Sequence, residues 1–143
     1  MKSKAAIYVR VSTIEQVKKG YSIAAQKSNL TEFCYKQNWD IFDIYADEGI
    51  SGKNISKRPG ILKLISDIEK FEINIVLLYK FDRLTRDVKD TESIINLLEK
   101  YNVTVYTISG GLVDISSATG KFMIRMNGAI AQLEREQTIE RIK

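Results

Sequence analysis

Histidine is absent from this chain, and cysteine occurs once, at position 34. Without histidine the chain cannot build a Ser-His-Asp triad, and one cysteine can form neither an internal disulfide nor a thiolate metal cluster. Its carboxylates are not clustered at the spacing of metal ligands. Any nucleophile or proton shuttle must therefore come from serine, threonine, tyrosine, lysine, arginine, aspartate or glutamate, and we expect no metal at the site.

Long apolar runs are also missing, because no segment approaches the roughly 20 residues that would span a bilayer. Residues 1–4 lead directly into a predicted strand and do not resemble a signal peptide. A single cysteine fits a reducing compartment. We therefore expect a cytoplasmic protein without a membrane partner.

The sequence does contain enough apolar material for a core, since hydrophobic residues make up 44% of its 143 positions and charged residues 28%. A chain of this length folds as one ordinary domain without disulfides or a metal. The net charge of +4 permits an anionic partner such as nucleic acid but does not require one.

Strand patterns alternate with helix patterns over residues 1–117. The run INIVLLY is typical of a central parallel strand covered on both faces, and the last strand is expected to stop at Gly110. The alternation predicts an α/β fold in three layers, with a mostly parallel central sheet flanked by helices. The predicted strands span residues 5–11, 39–46, 73–79 and 103–109, and the predicted helices span 22–38, a segment that begins at Pro59, and 87–101.

Several side chains are assigned to the core because they recur at helical spacing or lie within a predicted strand. Cys34 lies in phase with Leu30 and Phe33 and is interpreted as a small core residue. The lysines at 18, 19 and 27 are interpreted as solvated charge. The other predicted core residues are Tyr8, Ile61, Leu62, Ile65, Ile68, Tyr79, Ile94, Ile95, Leu97, Leu98 and Tyr106.

Two segments differ from this pattern. Residues 47–58, with two glycines, predict a loop, whereas residues 118–143 form one long helical pattern without a glycine or proline stop at its end. We expect the chain to end inside a longer helix that begins at 118. This helix is expected to expose an apolar stripe made of Phe122, Met126, Ala129 and Leu133.

The ends of two predicted strands carry residues suited to phosphoryl transfer. Arg10 and Ser12 are two apart, so a strand places both side chains on one face. After the third strand, Arg83 and Arg86 share a face if a helix begins there, and Asp82 precedes them. Guanidiniums can bind the non-bridging oxygens of a phosphodiester, with Ser12 as the nucleophile. Each feature alone also fits a simpler interpretation, because a serine after a strand is usually a turn residue and the Asp-Arg-x-x-Arg-Asp run resembles a solvated ion-pair face.

Four motifs in order resemble the serine recombinase family, which includes resolvases, invertases and large serine integrases. Residues 8–13 read YVRVST and are followed by Gln16, by GYSI at 20–23 and by Gln26. The other three motifs are YKFDRLTR at 79–86, ISSATGKF at 115–122 and AQLERE at 131–136.

The resemblance implies the catalytic domain of a site-specific DNA recombinase with a resolvase-like, flavodoxin-like topology over residues 1–117. Residues 118–143 would begin an oligomerisation helix, and DNA-binding domains would follow. Ser12 would form a phosphoserine link to a DNA 5′ end without ATP, metal or a small-molecule cofactor, and homodimers and homotetramers would assemble on double-stranded DNA. Arg10, Arg83 and Arg86 would hold the phosphate, Asp82 falls on the catalytic aspartate, and Gln16, Gln26, Glu134 and Arg135 fall on supporting positions.

This chain departs from the resolvase branch in one respect. That branch carries a functional lysine in the helix before the second motif, whereas residues 66–70 of this chain read SDIEK. No lysine is carried over, and the GYSI phrase together with the extended loop resembles the large integrase or transposase branch. Two alternatives stay open: a recombinase-like assembly or regulatory module without catalysis, and a flavodoxin-like domain that binds a small ligand. The first strand is not followed by a glycine-rich loop, which counts against a nucleotide site.

Overall fold

The computed structural model describes residues 3–11, 23–48, 59–80, 84, 88–113, 115 and 117–142. Within these ranges the side chains of residues 11, 48, 88–90, 127, 128, 131, 132, 135 and 138–142 are not described. The described residues form five strands and four helices, which are β1 (Lys4–Val11), α1 (Ile23–Gln37), β2 (Asp40–Glu48), α2 (Pro59–Lys70), β3 (Ile75–Leu78), α3 (Val88–Lys100), β4 (Thr104–Thr107), β5 (Gly111–Val113) and α4 (Ala118–Ile142).

The five strands form one sheet in the order β2-β1-β3-β4-β5. The first four strands pair in parallel and β5 pairs with β4 antiparallel, which confirms the predicted mostly parallel sheet. This is the 2-1-3-4-5 order of flavodoxin-like sheets, in which ligands bind beyond the carboxyl ends of the strands. The site is therefore expected where β1, β2 and β3 end.

Both faces of the sheet are covered, as the three-layer prediction requires. On one face, α1 buries Leu30 and Cys34 against Ile7 and Val9 of β1. On the other face, α2 and α3 pack against a larger cluster that also contains Ile124 of α4. Cys34 is fully buried, which confirms its assignment to the core.

Asparagine ends two helices in the same way. Asn38 follows α1 and Asn102 follows α3, each with positive φ, at 62° and 56°. The amide of Trp39 then bonds the carbonyl of Cys34 at 2.9 Å, and the amide of Val103 bonds that of Leu98 at 2.8 Å. These are Schellman closures, in which a left-handed residue satisfies the last helical carbonyls and turns the chain toward the next strand.

Three details of the sequence prediction were wrong. Leu62 is 44% exposed, and Leu64 takes the core position on α2, because the buried stripe runs through Ile61, Leu64 and Ile68. Tyr79 is 36% exposed because it lies beyond the end of β3. β4 does end before Gly110, but it is not the last strand, since Gly111, with φ of 75°, begins a short return strand that was not predicted.

Candidate active site

The candidate site begins at the carboxyl end of β1, where Arg10 is buried and only 2% exposed. In the parallel register of β1 and β2, Arg10 lies opposite Asp47, which is also buried. Paired residues share one face of a sheet, so the carboxylate of Asp47 and the guanidinium of Arg10 are buried on the same side. Arg10 is therefore fixed by the sheet and is not a mobile surface arginine.

Asp47 joins three elements through its carboxylate. Tyr8 on β1 donates its hydroxyl to Oδ2 at 2.7 Å. The amides at the start of α2 also donate to Asp47, from Gly60 to Oδ1 at 2.7 Å and from Ile61 to Oδ2 at 3.1 Å. These amides have no partner within their own helix, and a carboxylate at a helix N-terminus is also favoured by the helix dipole. We call Tyr8, Asp47, Gly60 and Ile61 the Asp47 node.

The approach of α2 to β2 requires glycine at position 60. A Cβ atom there would lie 2.7 Å from the carbonyl oxygen of Ala46 and 2.9 Å from both carboxylate oxygens of Asp47. The backbone oxygen cannot move aside as a flexible side chain would. Gly60 thus keeps the start of α2 close to the end of β2.

The Asp47 node was not predicted from the sequence, because Asp47 was assigned to the loop over residues 47–58. In the structure β2 extends to Glu48, so Asp47 occupies a strand end, the same kind of position that identified Arg10. That rule would have found Asp47 if the strand had been predicted two residues longer. Nothing in the local sequence marks the bonds from Tyr8 and Gly60, which are 39 and 13 residues away.

The predicted supporting residues lie in different places. Gln26 is buried on α1, in the layer across the sheet from the Asp47 node. Glu134 is exposed on α4, and Arg135 belongs to the same helix.

The second motif is described at one residue near its centre. Leu84 is 1% exposed and belongs to the apolar cluster that also contains Tyr8 and Leu78. It therefore packs on the α2 side of the sheet, the side that Tyr8 and Arg10 face. The other predicted site residues, Ser12, Gln16, Asp82, Arg83 and Arg86, lie outside the described residues.

Other kinds of site find little support in the described part of the chain. It contains no group of three or more cysteine, aspartate or glutamate side chains that could hold a metal ion. None of its helices is long and apolar enough to cross a membrane. A groove of about 430 Å³ lies beside β5, lined by residues such as Val103, Leu112 and Ile115, and it contains none of the predicted site residues.

The chain is similar to known DNA recombinases over nearly its whole length. A putative DNA recombinase of Bacillus subtilis is 38% identical over 138 residues, which cover 95% of this chain and 26% of the relative. DNA-invertase hin of Salmonella typhimurium is 35% identical over 134 residues, which cover 94% of this chain and 62% of the invertase. The chain thus spans about a quarter of the first relative and less than two thirds of the second.

A solved structure and a family model agree with these relatives. The N-terminal catalytic domain of TP901-1 integrase superposes with a TM-score of 0.73 at 37% identity, covering 95% of this chain and 99% of that one. The family model described as "Resolvase, N terminal domain" matches residues 5–143. The chain therefore belongs to the resolvase family and forms a serine recombinase catalytic domain.

Proposed function

We propose that this domain breaks and rejoins DNA strands at specific sites, with Ser12 as the nucleophile. The observation that carries the proposal is the buried Arg10 at the carboxyl end of β1, held opposite Asp47 and two residues before Ser12. A strand that continued through Ser12 would present both side chains on one face. The family to which the chain belongs supports the same assignment.

The proposed reaction is an exchange of phosphodiester bonds. Ser12 Oγ attacks the phosphorus of the scissile phosphate, the 3′ oxygen leaves with a proton, and a phosphoserine link to the 5′ end remains. Rejoining is the reverse attack by a 3′ hydroxyl on that link. One ester replaces another of similar energy in both steps, so ATP is not needed.

The arginines supply the positive charge that this reaction needs. Arg10, Arg83 and Arg86 would bind the non-bridging oxygens, on which negative charge accumulates during attack. Asp82 would orient an arginine or accept a proton. Gln16, Gln26, Glu134 and Arg135 would support the site or its assembly.

The Asp47 node has a positioning role in this proposal. It ties the end of β1, through Tyr8, to the end of β2 and the start of α2. Placement errors of about 1 Å at a reacting centre can lower a rate about 10²-fold. Holding Arg10 in a fixed position would therefore support the rate of the reaction.

The proposed partners are double-stranded DNA and further copies of the chain. The curated relatives are longer than the region matched here, and we assign recognition of the target sequence to such additional sequence. This domain alone would bind DNA weakly and with strong salt dependence, with a dissociation constant of roughly 10⁻⁴ to 10⁻⁶ M. Phe122, Met126, Ala129 and Leu133 are all exposed on α4, which supports self-association through this helix.

A trapping assay tests the role of Ser12. Nicked or gapped target DNA is incubated with full-length protein, and protein linked covalently to DNA is measured on denaturing gels. Wild-type protein and the control Ser28→Ala, an exposed position on α1, should both form the adduct, whereas Ser12→Ala should not. An adduct from Ser12→Ala would show that another residue is the nucleophile. No adduct from wild-type protein that still assembles on DNA would favour the noncatalytic module.

A further inference from the structure

The described side chains that join α4 to α3 lie near the start of α4. It spans 25 residues, and of its described side chains Ile124 is the one that is buried. The large apolar side chains beyond it are exposed, including Met126, Ile130 and Leu133. The described contacts therefore place the attachment of α4 in its first two turns.

Two ion pairs join these turns to α3. Arg125 forms a two-pronged pair with Glu92, in which Nη2 donates to Oε2 at 3.0 Å and Nε donates to Oε1. Lys121 lies one turn earlier on α4, with its Nζ 2.7 Å from Oε2 of Glu99. Each pair places a cation of α4 on a carboxylate of α3, and Ile124 lies beside Arg125 on the same stretch of helix.

We propose that Glu92, Glu99, Lys121 and Arg125 form an ionic clasp that fixes the direction of α4. Loss of its charge pairing would free the helix while the α/β body stays folded. The clasp is a conformational device of the fold and does not depend on the assignment of Ser12, so each can fail without the other.

The strength of exposed ion pairs suits this role. Isolated surface pairs contribute little to the stability of a domain, but a parallel guanidinium–carboxylate pair has a defined geometry and adjacent pairs reinforce each other. Here the two ion pairs hold α4 in position, and Ile124 is the one described side chain of this helix that is buried. The four side chains of the clasp are 23–47% exposed, so dissolved salt can reach and screen them.

The pKa of Glu92 reflects this geometry. The hydrogen bond from Arg125 is the main reason that the pKa of Glu92 lies below its usual value, and Lys121 acts in the same direction. The carboxylate of Glu92 therefore stays charged to a lower pH than an unpaired glutamate would.

Hydrogen exchange of the 143-residue chain, followed by mass spectrometry, tests the clasp. A released helix end frays in water, since short isolated helices are marginally stable. Raising the salt from about 0.01 M to about 1 M should therefore speed exchange in residues 118–125 about threefold or more, as the loss of two exposed pairs allows. Exchange in α2 should not change.

Variants separate the clasp from general salt effects. Arg125→Glu should speed exchange in residues 118–125 at low salt, and adding Glu92→Arg should restore slow exchange. Lys36→Glu, which disrupts a pair with Glu32 within α1, is the matched charge control and should leave α4 unchanged. The clasp is refuted by exchange that ignores both salt and Arg125→Glu, by failure of the charge swap to restore protection, or by variants that loosen α2 to the same extent.

Discussion

Asp47→Asn is the sharpest test of the Asp47 node, because it keeps the shape of the side chain and removes one acceptor atom. The carboxylate accepts from Gly60 N on one oxygen and from Tyr8 Oη and Ile61 N on the other. In either orientation, the amide group of asparagine turns a donor toward one of the two backbone N–H groups. One N–H at the start of α2 therefore always loses its partner.

The expected loss can be worked out from these bonds. A buried donor left without a partner costs about 1–3 kcal/mol, and the remaining bonds weaken by about 1 kcal/mol each when their acceptor becomes neutral. We expect the free energy of unfolding to fall by about 3 kcal/mol, a large share of the roughly 5–15 kcal/mol typical of a domain. Urea denaturation followed by the fluorescence of Trp39, the single tryptophan, measures this as a lower midpoint with an unchanged slope.

Asp43→Asn is the matched control on the same strand and the same face. Asp43 is partly exposed, accepts from the amide of Ile44 at 2.8 Å and pairs with exposed Lys63 at 3.3 Å. One amide oxygen can still serve Ile44, so the change should cost less than about 0.5 kcal/mol. If Asp47→Asn unfolds at the same urea concentration as Asp43→Asn, the carboxylate does not hold the three elements together.

Four further outcomes follow. Leu64→Ala should cost about 2–5 kcal/mol in urea denaturation whereas Leu62→Ala should cost under about 1 kcal/mol, because only Leu64 is buried; equal losses would place the wrong side chain in the core. Burial raises the pKa of the Cys34 thiol to about 11, so a thiol reagent at pH 8 should modify the native chain far more slowly than the urea-unfolded chain, and equal rates would contradict the packing. Arg10→Lys in the full-length protein should slow formation of the covalent adduct by on the order of 10²-fold, because lysine keeps the charge but not the planar donors; a rate near that of wild-type protein would refute a role for the guanidinium geometry. Recombination should continue in excess EDTA, and activity that is lost and then restored only by a divalent ion would show that the site uses a metal.

The fold was largely predictable because its signals are local. Apolar runs and helical periodicity lie within single elements, and their alternation implies a parallel sheet. β5 escaped prediction because a strand of three residues that begins at the second of two glycines carries no detectable period. Leu62 was wrongly assigned to the core because it and Leu64 are the same type of residue. Only the way in which α2 packs on β1 and β2 shows which of the two is buried.

The site was predictable only where a residue type and a strand end coincide. Arg10 lies near the end of β1, where it was predicted, and its catalytic role stays a prediction. The start of α2 at Pro59 was predicted, but no local pattern reveals the bonds that Asp47 accepts from Tyr8 across the sheet and from the first amides of that helix. The convergence of Arg83 and Arg86 on Arg10 stays a prediction.

The position of β1 inside the sheet has a consequence for synthesis on the ribosome. β1 pairs with β2 on one side and with β3 on the other, and the amide of Lys4 bonds the side chain of Asn74, 70 residues later. At about 5–20 residues per second, β1 is made roughly 4–14 s before that partner exists. For this interval the nascent chain carries an apolar segment, AAIYV, whose edge toward β3 has no partner yet and can pair with another chain. The yield of correctly folded protein therefore depends on how well this edge is shielded until β3 has emerged.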